Sequence, residues 1–315
     1  MSPAPDPALV ARFKAALDRL NPGGGKIGLA VSGGPDSMAM LLLAHVAIPG
    51  RFEVATVNHG LRAEAADECA LVAAACAERG VDCAVLEVTV RPGNVQARAR
   101  EARYAALAEW AFARNLRAVA TAHHADDQAE TILMRLLRGS GLVGLTGVRS
   151  SSLIAGITVI RPLLNFRHSE LAAACEGAGI MAVADLSNEN TDFDRVRIRQ
   201  AIAACDWLDA AGLSTSATYL AEAQEFVQDT LSSLWQGAVT PDGDQFRYWP
   251  GATNFERIEV VRMILQRSGT APVRSDIARM VERLSQGQNA SLGGMLACVK
   301  DGEWLFRPEP PRRTG

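Results

Sequence analysis

Hydrophobic positions in the first two hundred residues follow two alternating rhythms. Short apolar runs at 27–31, 52–57, 82–90, 117–122 and 157–160 are bounded by Gly-rich or polar stretches and read as buried strands. Between them, 36–45, 64–79, 94–114, 126–137 and 169–178 carry longer patterns rich in strong helix formers. This alternation predicts an α/β fold, a parallel five-stranded sheet with helices on both faces. Ligands of such sheets sit beyond the carboxyl ends of the strands. The unusual polar clusters of this chain all follow predicted strands.

The rhythm changes near Leu213. Residues 215–234, 255–268 and 273–284 read as amphipathic helices. Val299 and Trp304 flank Asp301-Gly302, a hairpin turn signal, which predicts a β-hairpin over 293–308. The expected organisation is a catalytic domain over 1–212 and a smaller, mainly helical domain over 213–315 that ends in the hairpin. The tail beyond Pro308 is expected to be disordered.

Composition narrows the class. With 48% hydrophobic and 21% charged residues over 315 positions, the chain can build ordinary cores without staples. No apolar stretch approaches the ~20 residues that span a bilayer, and the first residues lack the basic start and apolar run of a signal peptide. The expectation is a cytoplasmic protein with no membrane partner. None of the six cysteines forms a Cys-x-x-Cys pair, which argues against a zinc ribbon or redox dithiol. A net charge of −3 does not advertise a nucleic-acid binder. Arginine is nonetheless concentrated at 91–117 and 195–199, and such runs serve either as solvated faces or as phosphate contacts.

Four clusters carry candidate chemistry. Ser32-Gly33-Gly34-Pro35-Asp36-Ser37 follows a strand and opens a helix. Gly33 and Gly34 let backbone N–H groups approach an anion, the helix start adds a positive dipole end, and Ser32 and Ser37 offer hydroxyls. Asp36 beside bound phosphates requires a divalent cation between them, which implies Mg²⁺. The loop is neither a Walker loop nor a dinucleotide fingerprint, since Gly-Lys-Ser/Thr and Gly-x-Gly-x-x-Gly are both absent. The second cluster, Asn58-His59-Gly60-Leu61-Arg62, is a polar turn after the second strand; a helix cap with a surface arginine is the plainer reading. In the third, His123-His124-Ala125-Asp126-Asp127-Gln128-Ala129-Glu130-Thr131, the residues Asp127, Glu130 and Thr131 share one helix face. Its histidines and aspartates have metal-ligand chemistry, but two carboxylates beside a phosphate loop better suit a cationic amine and its deprotonation. The fourth, from Arg135 to Gly147, is a Gly-rich segment that suits either a lid or a plain surface loop.

The order Ser-Gly-Gly-x-Asp-Ser resembles the pyrophosphate loop of the PP-loop ATP pyrophosphatases. The combination is more specific and resembles the tRNA(Ile)-lysidine synthetase family. It consists of Asn58-His59-Gly60-Leu61-Arg62, Ala97-Arg98 with Arg103-Tyr104, the run from Ala122 to Thr131, Leu136 to Leu142, Arg161-Pro-Leu-Leu164, and Asp185-x-Ser187-Asn188 leading to Arg195-x-Arg197-Ile198-Arg199. The match covers about residues 25–200. Val196 departs from it, because the family usually has Asn there. Beyond about 215 the match is architectural only, and the chain is shorter than long family members.

The resemblance implies that ATP adenylates the C2 carbonyl oxygen of the wobble cytidine of a tRNA-Ile with a CAU anticodon, and that free lysine then displaces AMP. It implies ATP and Mg²⁺ bound by the loop and by Asn58, His59 and Arg62, with the metal at Asp36. Asp127 and Glu130 would bind and deprotonate the lysine ammonium. Arg103 and one of Arg195 or Arg199 would hold the AMP phosphate or the tRNA backbone, with Arg98 and Arg197 on the tRNA. A basic stripe along 98–117 and around Arg257, Arg262, Arg267 and Arg274 would complete the tRNA surface. The sequence leaves a homodimer open.

Overall fold

The computed structural model describes residues 5–60, 64–90, 93–180, 182–183, 194–205 and 207–310. The chain divides into two compact units, Met1–Ala221 and Glu222–Gly315, with the division inside a long helix.

The first unit is built on strands β1 (Ile27–Ala30), β2 (Phe52–Asn58), β3 (Cys83–Glu87), β4 (Val119–Ala120), β5 (Ser151–Ile154) and β6 (Ile157–Ile160). They form one sheet of six strands in the order β3-β2-β1-β4-β6-β5. All neighbours pair in parallel except β5 and β6, which are antiparallel. The expectation of five parallel strands is therefore corrected by one antiparallel edge strand. Its turn, Ala155-Gly156, has φ of 49° and 82°. An alanine at positive φ gives no turn signal, so this hairpin was not legible.

Helices α1 (Pro7–Leu20), α2 (Pro35–Ala47), α3 (Ala65–Ala77), α4 (Val95–Ala113), α5 (Ala125–Leu137), α6 (Leu142–Leu145), α7 (His168–Gly177), α8 (Asp194–Ala203) and α9 (Ala210–Ala238) complete the unit, α9 running on past its end. Asp6 caps α1 through the backbone N–H of Ala8, and Pro7 occupies the first turn, where its missing N–H costs nothing. Every side chain of α2 from Ser37 to Ala44 is buried, so no polar stripe was available to betray its orientation. On the other face α4 packs Tyr104, Leu107, Trp110 and Ala111 into a second core. Gly28 of β1 is required there: a Cβ would stand 2.5 Å from the Trp110 ring.

The strand order places the topological switch between β1 and β4. Successive connections from β1 run to β2 on one side, and β4 lies on the other. The crevice beyond these two carboxyl ends is where the phosphate loop and the 121–131 cluster both emerge.

The second unit contains the remainder of α9, helices α10 (Asn254–Arg267) and α11 (Arg274–Ser285), and strands β7 (Val239–Asp242), β8 (Gln245–Tyr248), β9 (Ala290–Leu292), β10 (Met295–Lys300) and β11 (Glu303–Pro308). The hairpin expected over 293–308 is β10–β11, with Lys300 opposite Glu303. It is not a lone appendage to a helical domain. It belongs to a five-stranded antiparallel sheet, β7-β8-β11-β10-β9. The strands β7 to β9 have three or four residues each, too few for alternation to register above background.

Candidate active site

Three elements build the site from their first turns. The backbone at Gly33 has φ of 88°, a conformation open to glycine, and turns the chain from β1 into α2. Ser37 closes the loop. Its Oγ donates to the Gly34 carbonyl (2.9 Å), accepts from the Ser32 N–H (3.1 Å) and lies 3.3 Å from the Ser32 Oγ. The Gly33 carbonyl accepts from the Val183 N–H, so the loop is held from behind as well.

The loop borders two cavities that share Ser32, Gly34, Asp36 and Asp127. The first, about 500 Å³, runs over the strand ends and is walled by Ala30, Val57 and Leu107, with Arg103, His59, His123 and Arg195 at polar positions. The second, about 760 Å³, lies on the α7 side and carries Asp126, Glu130, Glu176, His124, His168 and Arg199.

Asp36 sits where the cavities meet. Its Oδ1 is 2.8 Å from Nδ1 of His168 and its Oδ2 is 3.5 Å from Nε2 of His124. Burial pushes the Asp36 carboxyl up, but hydrogen bonds and charge from the two imidazoles outweigh it and hold the carboxyl below its usual range. The same contacts act in reverse on His124. Burial disfavours its cation, yet Asp126, Asp36 and Asp127 raise it to about 10. The His168 imidazole is raised mainly by its bond to Asp36. His123 moves the other way, to about 4: burial lowers it most, Asp127 opposes the shift, and the guanidinium groups of Arg161, Arg100 and Arg103 add to it. Adjacent histidines are thus driven to opposite protonation states.

Asp127 and Glu130 share a face of α5, as the spacing predicts, but they do different things. Asp127 accepts the backbone N–H of His124 (3.1 Å) and caps the helix. Its Oδ2 also lies 3.5 Å from the His124 ring. Glu130 is 1% exposed and already holds two guanidinium groups, from Arg195 and Arg199 of α8. Arg195 also donates to the Thr131 hydroxyl at 2.9 Å. Arg199 is raised above its usual value, first by its hydrogen bond to Glu130.

The other expected residues divide. Ser32, Gly34, Pro35, Asp36, Ser37, His59, Arg103 and Arg195 line the cavities. Burial lowers the Arg103 guanidinium from its usual value. Asn58 turns to its own strand neighbourhood, donating to Glu87 (3.1 Å) and accepting from the Gly60 N–H (3.0 Å). Arg98 is exposed and paired with Glu101, and Arg197 lines a separate recess with Met134 and Leu137. Val196, the departure from the family pattern, is buried. Arg62, Asp185, Ser187, Asn188 and the tail at 311–315 lie outside the described residues. Several arginines of the expected basic stripe have internal partners: Arg114 on Glu53, Arg262 and Arg274 on Glu259, and Arg267 over the Trp235 ring.

Sequence reasoning missed His168. It follows Arg161-Pro-Leu-Leu164 by four residues, at the start of a helix, and a polar residue entering a helix after a strand-end motif was the available signal. Tyr104 was also underread. It is buried beside Arg103, with the Arg103 guanidinium 5.4 Å from its ring centre.

The PP-loop domain family matches residues 6–205. A tRNA(Ile)-lysidine synthase of Novosphingobium aromaticivorans is 42% identical over 313 residues, covering 96% of this chain and 95% of its own. The chain belongs to the tRNA(Ile)-lysidine synthase family. A second family member, from Zymomonas mobilis, is 37% identical over 93% of this chain and 91% of its own. Among solved structures, a U34-tRNA thiolase from Methanococcus maripaludis superposes with a TM-score of 0.55 at 16% identity, over 67% of this chain and 78% of that one. At that identity the likeness is one of fold. Family membership makes this lysidine synthase homologue an enzyme, and the loop at 32–37 lies within the matched PP-loop domain.

Proposed function

We propose that the protein joins free lysine to C2 of the wobble cytidine of a tRNA-Ile with a CAU anticodon, through an adenylated tRNA intermediate, releasing pyrophosphate and then AMP. The observation that carries this reading is the pair of cavities meeting at Asp36, one walled for a nucleotide and one acidic, in a chain 42% identical to a tRNA(Ile)-lysidine synthase.

In the first step the cytidine C2 carbonyl oxygen attacks the α-phosphorus of ATP and the bond to pyrophosphate breaks. The apolar wall of the first cavity takes the adenosine, and the loop N–H groups and the α2 N-terminus take the departing pyrophosphate. Asp36 would hold the divalent cation that accompanies ATP, and the cation would offset the phosphate charge. Arg103 and Arg195 face the same cavity and neutralise charge at the α-phosphate or the tRNA backbone. His59 lines the nucleotide side.

In the second step the lysine ε-amine attacks C2, the C2–O bond to AMP breaks, and the amine loses a proton. The carboxylates of the second cavity suit an ammonium group. Asp127, which borders both cavities, is the acceptor best placed for that proton. Glu130 contributes to the negative wall while it fixes Arg195 and Arg199. Arg98 and Arg197, outside both cavities, are assigned to the tRNA backbone, together with the second unit.

The deciding experiment supplies labelled lysine, ATP and transcribed tRNA-Ile bearing CAU. Lysine incorporation into tRNA with equimolar AMP is the expected result. Pyrophosphate release that needs no tRNA would replace this reading with a small-molecule ligase.

A further inference from the structure

His168 belongs to none of the motifs that carry the family resemblance, yet it completes a cluster. Asp36 comes from the first turn of α2, His124 caps α5, and His168 is the first residue of α7. One donor atom from each lies within 4.8 Å of the other two. Ligands held at ~2.0–2.2 Å from a common divalent ion stand roughly 3–4 Å apart, so small rotations of these side chains enclose one.

The surroundings are arranged as metal sites arrange theirs. Asp126 serves both histidines. Its Oδ2 accepts the backbone N–H of His168 at 2.8 Å and lies 3.3 Å from Nδ1 of His124, the ring nitrogen turned away from Asp36. A carboxylate behind a ligating imidazole fixes its tautomer and orientation and raises its basicity. Asp127 ties down the His124 backbone in the same manner. The His124 and His168 rings approach to 5.5 Å between centres, close enough to share an ion and tilted by 39°.

The donor set decides the chemistry. Mg²⁺ is a hard ion that keeps oxygen ligands and waters, whereas imidazole suits manganese, cobalt and zinc-type ions progressively better. We propose that Asp36, His124 and His168 form a divalent metal site of one carboxylate and two imidazoles that selects Mn²⁺ or Zn²⁺-type ions over Mg²⁺. Ser32 and Gly34 line the same cavities as Asp36, where phosphate oxygens would complete the coordination. The inference rests on the cation role already given to Asp36 and adds the two histidines and the selectivity.

The test uses the purified full chain and Mn²⁺ alone. Loss of the free Mn²⁺ electron paramagnetic signal reports binding, with Mg²⁺ as competitor. One Mn²⁺ per chain, held about tenfold or more tighter than Mg²⁺, is the expected result. His168→Ala and His168→Gln should each weaken Mn²⁺ about tenfold or more while circular dichroism stays unchanged. His168 is half exposed, so both changes leave the core intact. Co²⁺ should give visible bands of nitrogen ligation in the wild type that weaken in both variants. Equal affinity for Mn²⁺ and Mg²⁺, or wild-type Mn²⁺ binding in both variants, overturns the site. Full lysine transfer with Mg²⁺ alone and no Mn²⁺ binding would overturn the site and leave the lysidine reading standing. Tight Mn²⁺ binding without lysine transfer under any ion would do the reverse.

Discussion

Glu130 and Arg199 are paired across 69 positions of sequence, and Arg195 joins the same carboxylate from one turn earlier on α8. This pairing fixes α8 against α5 and places Arg195 on the wall of the first cavity. Removing the carboxylate leaves two guanidinium groups facing a buried space. Both arginines are nearly half exposed and can recover water, so Glu130→Ala should lower stability by about 1–3 kcal/mol rather than the larger cost of a fully buried pair. Urea unfolding would measure it. The KM for ATP should rise in the same variant, because Arg195 loses its anchor.

Asp36→Ala should abolish pyrophosphate release, by at least ~100-fold, since the cation proposed at this position would stabilise the transferring phosphoryl group. Tryptophan fluorescence and circular dichroism should remain those of the wild type. A variant that still releases pyrophosphate with tRNA at more than a tenth of the normal rate would remove Asp36 from the adenylation step.

Asp127→Ala separates the two steps. The helix cap is lost, at a cost of about 1 kcal/mol, but the phosphate loop stands. Adenylation of tRNA, followed by pyrophosphate release, should persist in part while labelled lysine is not transferred. Equal loss of both steps would withdraw the lysine assignment from this carboxylate.

Glu53 gives a pH prediction far from the site. Its carboxylate is 6% exposed and receives Lys26 and Arg114, each at 2.6 Å. Burial pushes its pKa up, but the two cationic donors outweigh burial and hold it below its usual value. A carboxyl lowered by folding contributes stability that is present above its unfolded pKa and is lost as pH falls through the folded one. The stability gap between wild type and Glu53→Gln should therefore be constant near neutrality and close below about pH 4.5. Urea midpoints across pH 3–7 would show it; a gap that widens on acidification contradicts the sign.

tRNA affinity should fall steeply as salt rises, because phosphate contacts release counterions. Arg197→Ala should weaken binding and flatten that slope while leaving the KM for lysine unchanged. Nitrocellulose filter binding at two or more salt concentrations would test this, and an affinity insensitive to salt would discard the electrostatic picture.

The alternation of apolar runs with helical stretches determined the α/β architecture, the position of the phosphate loop at a strand end, and the shared face of Asp127 and Glu130. These follow from local periodicity and from residue types that only certain backbones tolerate, so they are written in contiguous sequence. The antiparallel edge strand was hidden because Ala155 adopts positive φ without being a turn residue. The sheet of the second unit was hidden because its extra strands are too short to alternate visibly. What Glu130 holds, and the meeting of Asp36 with His124 and His168, depend on side chains separated by 65 to 132 positions. Such meetings are set by how helices dock on a sheet, a long-range packing outcome with no local period to announce it. The sequence thus determined which chemistry the strand ends could carry, and the tertiary structure alone decided which carboxylate meets two imidazoles, which borders both cavities and which is spent on arginine.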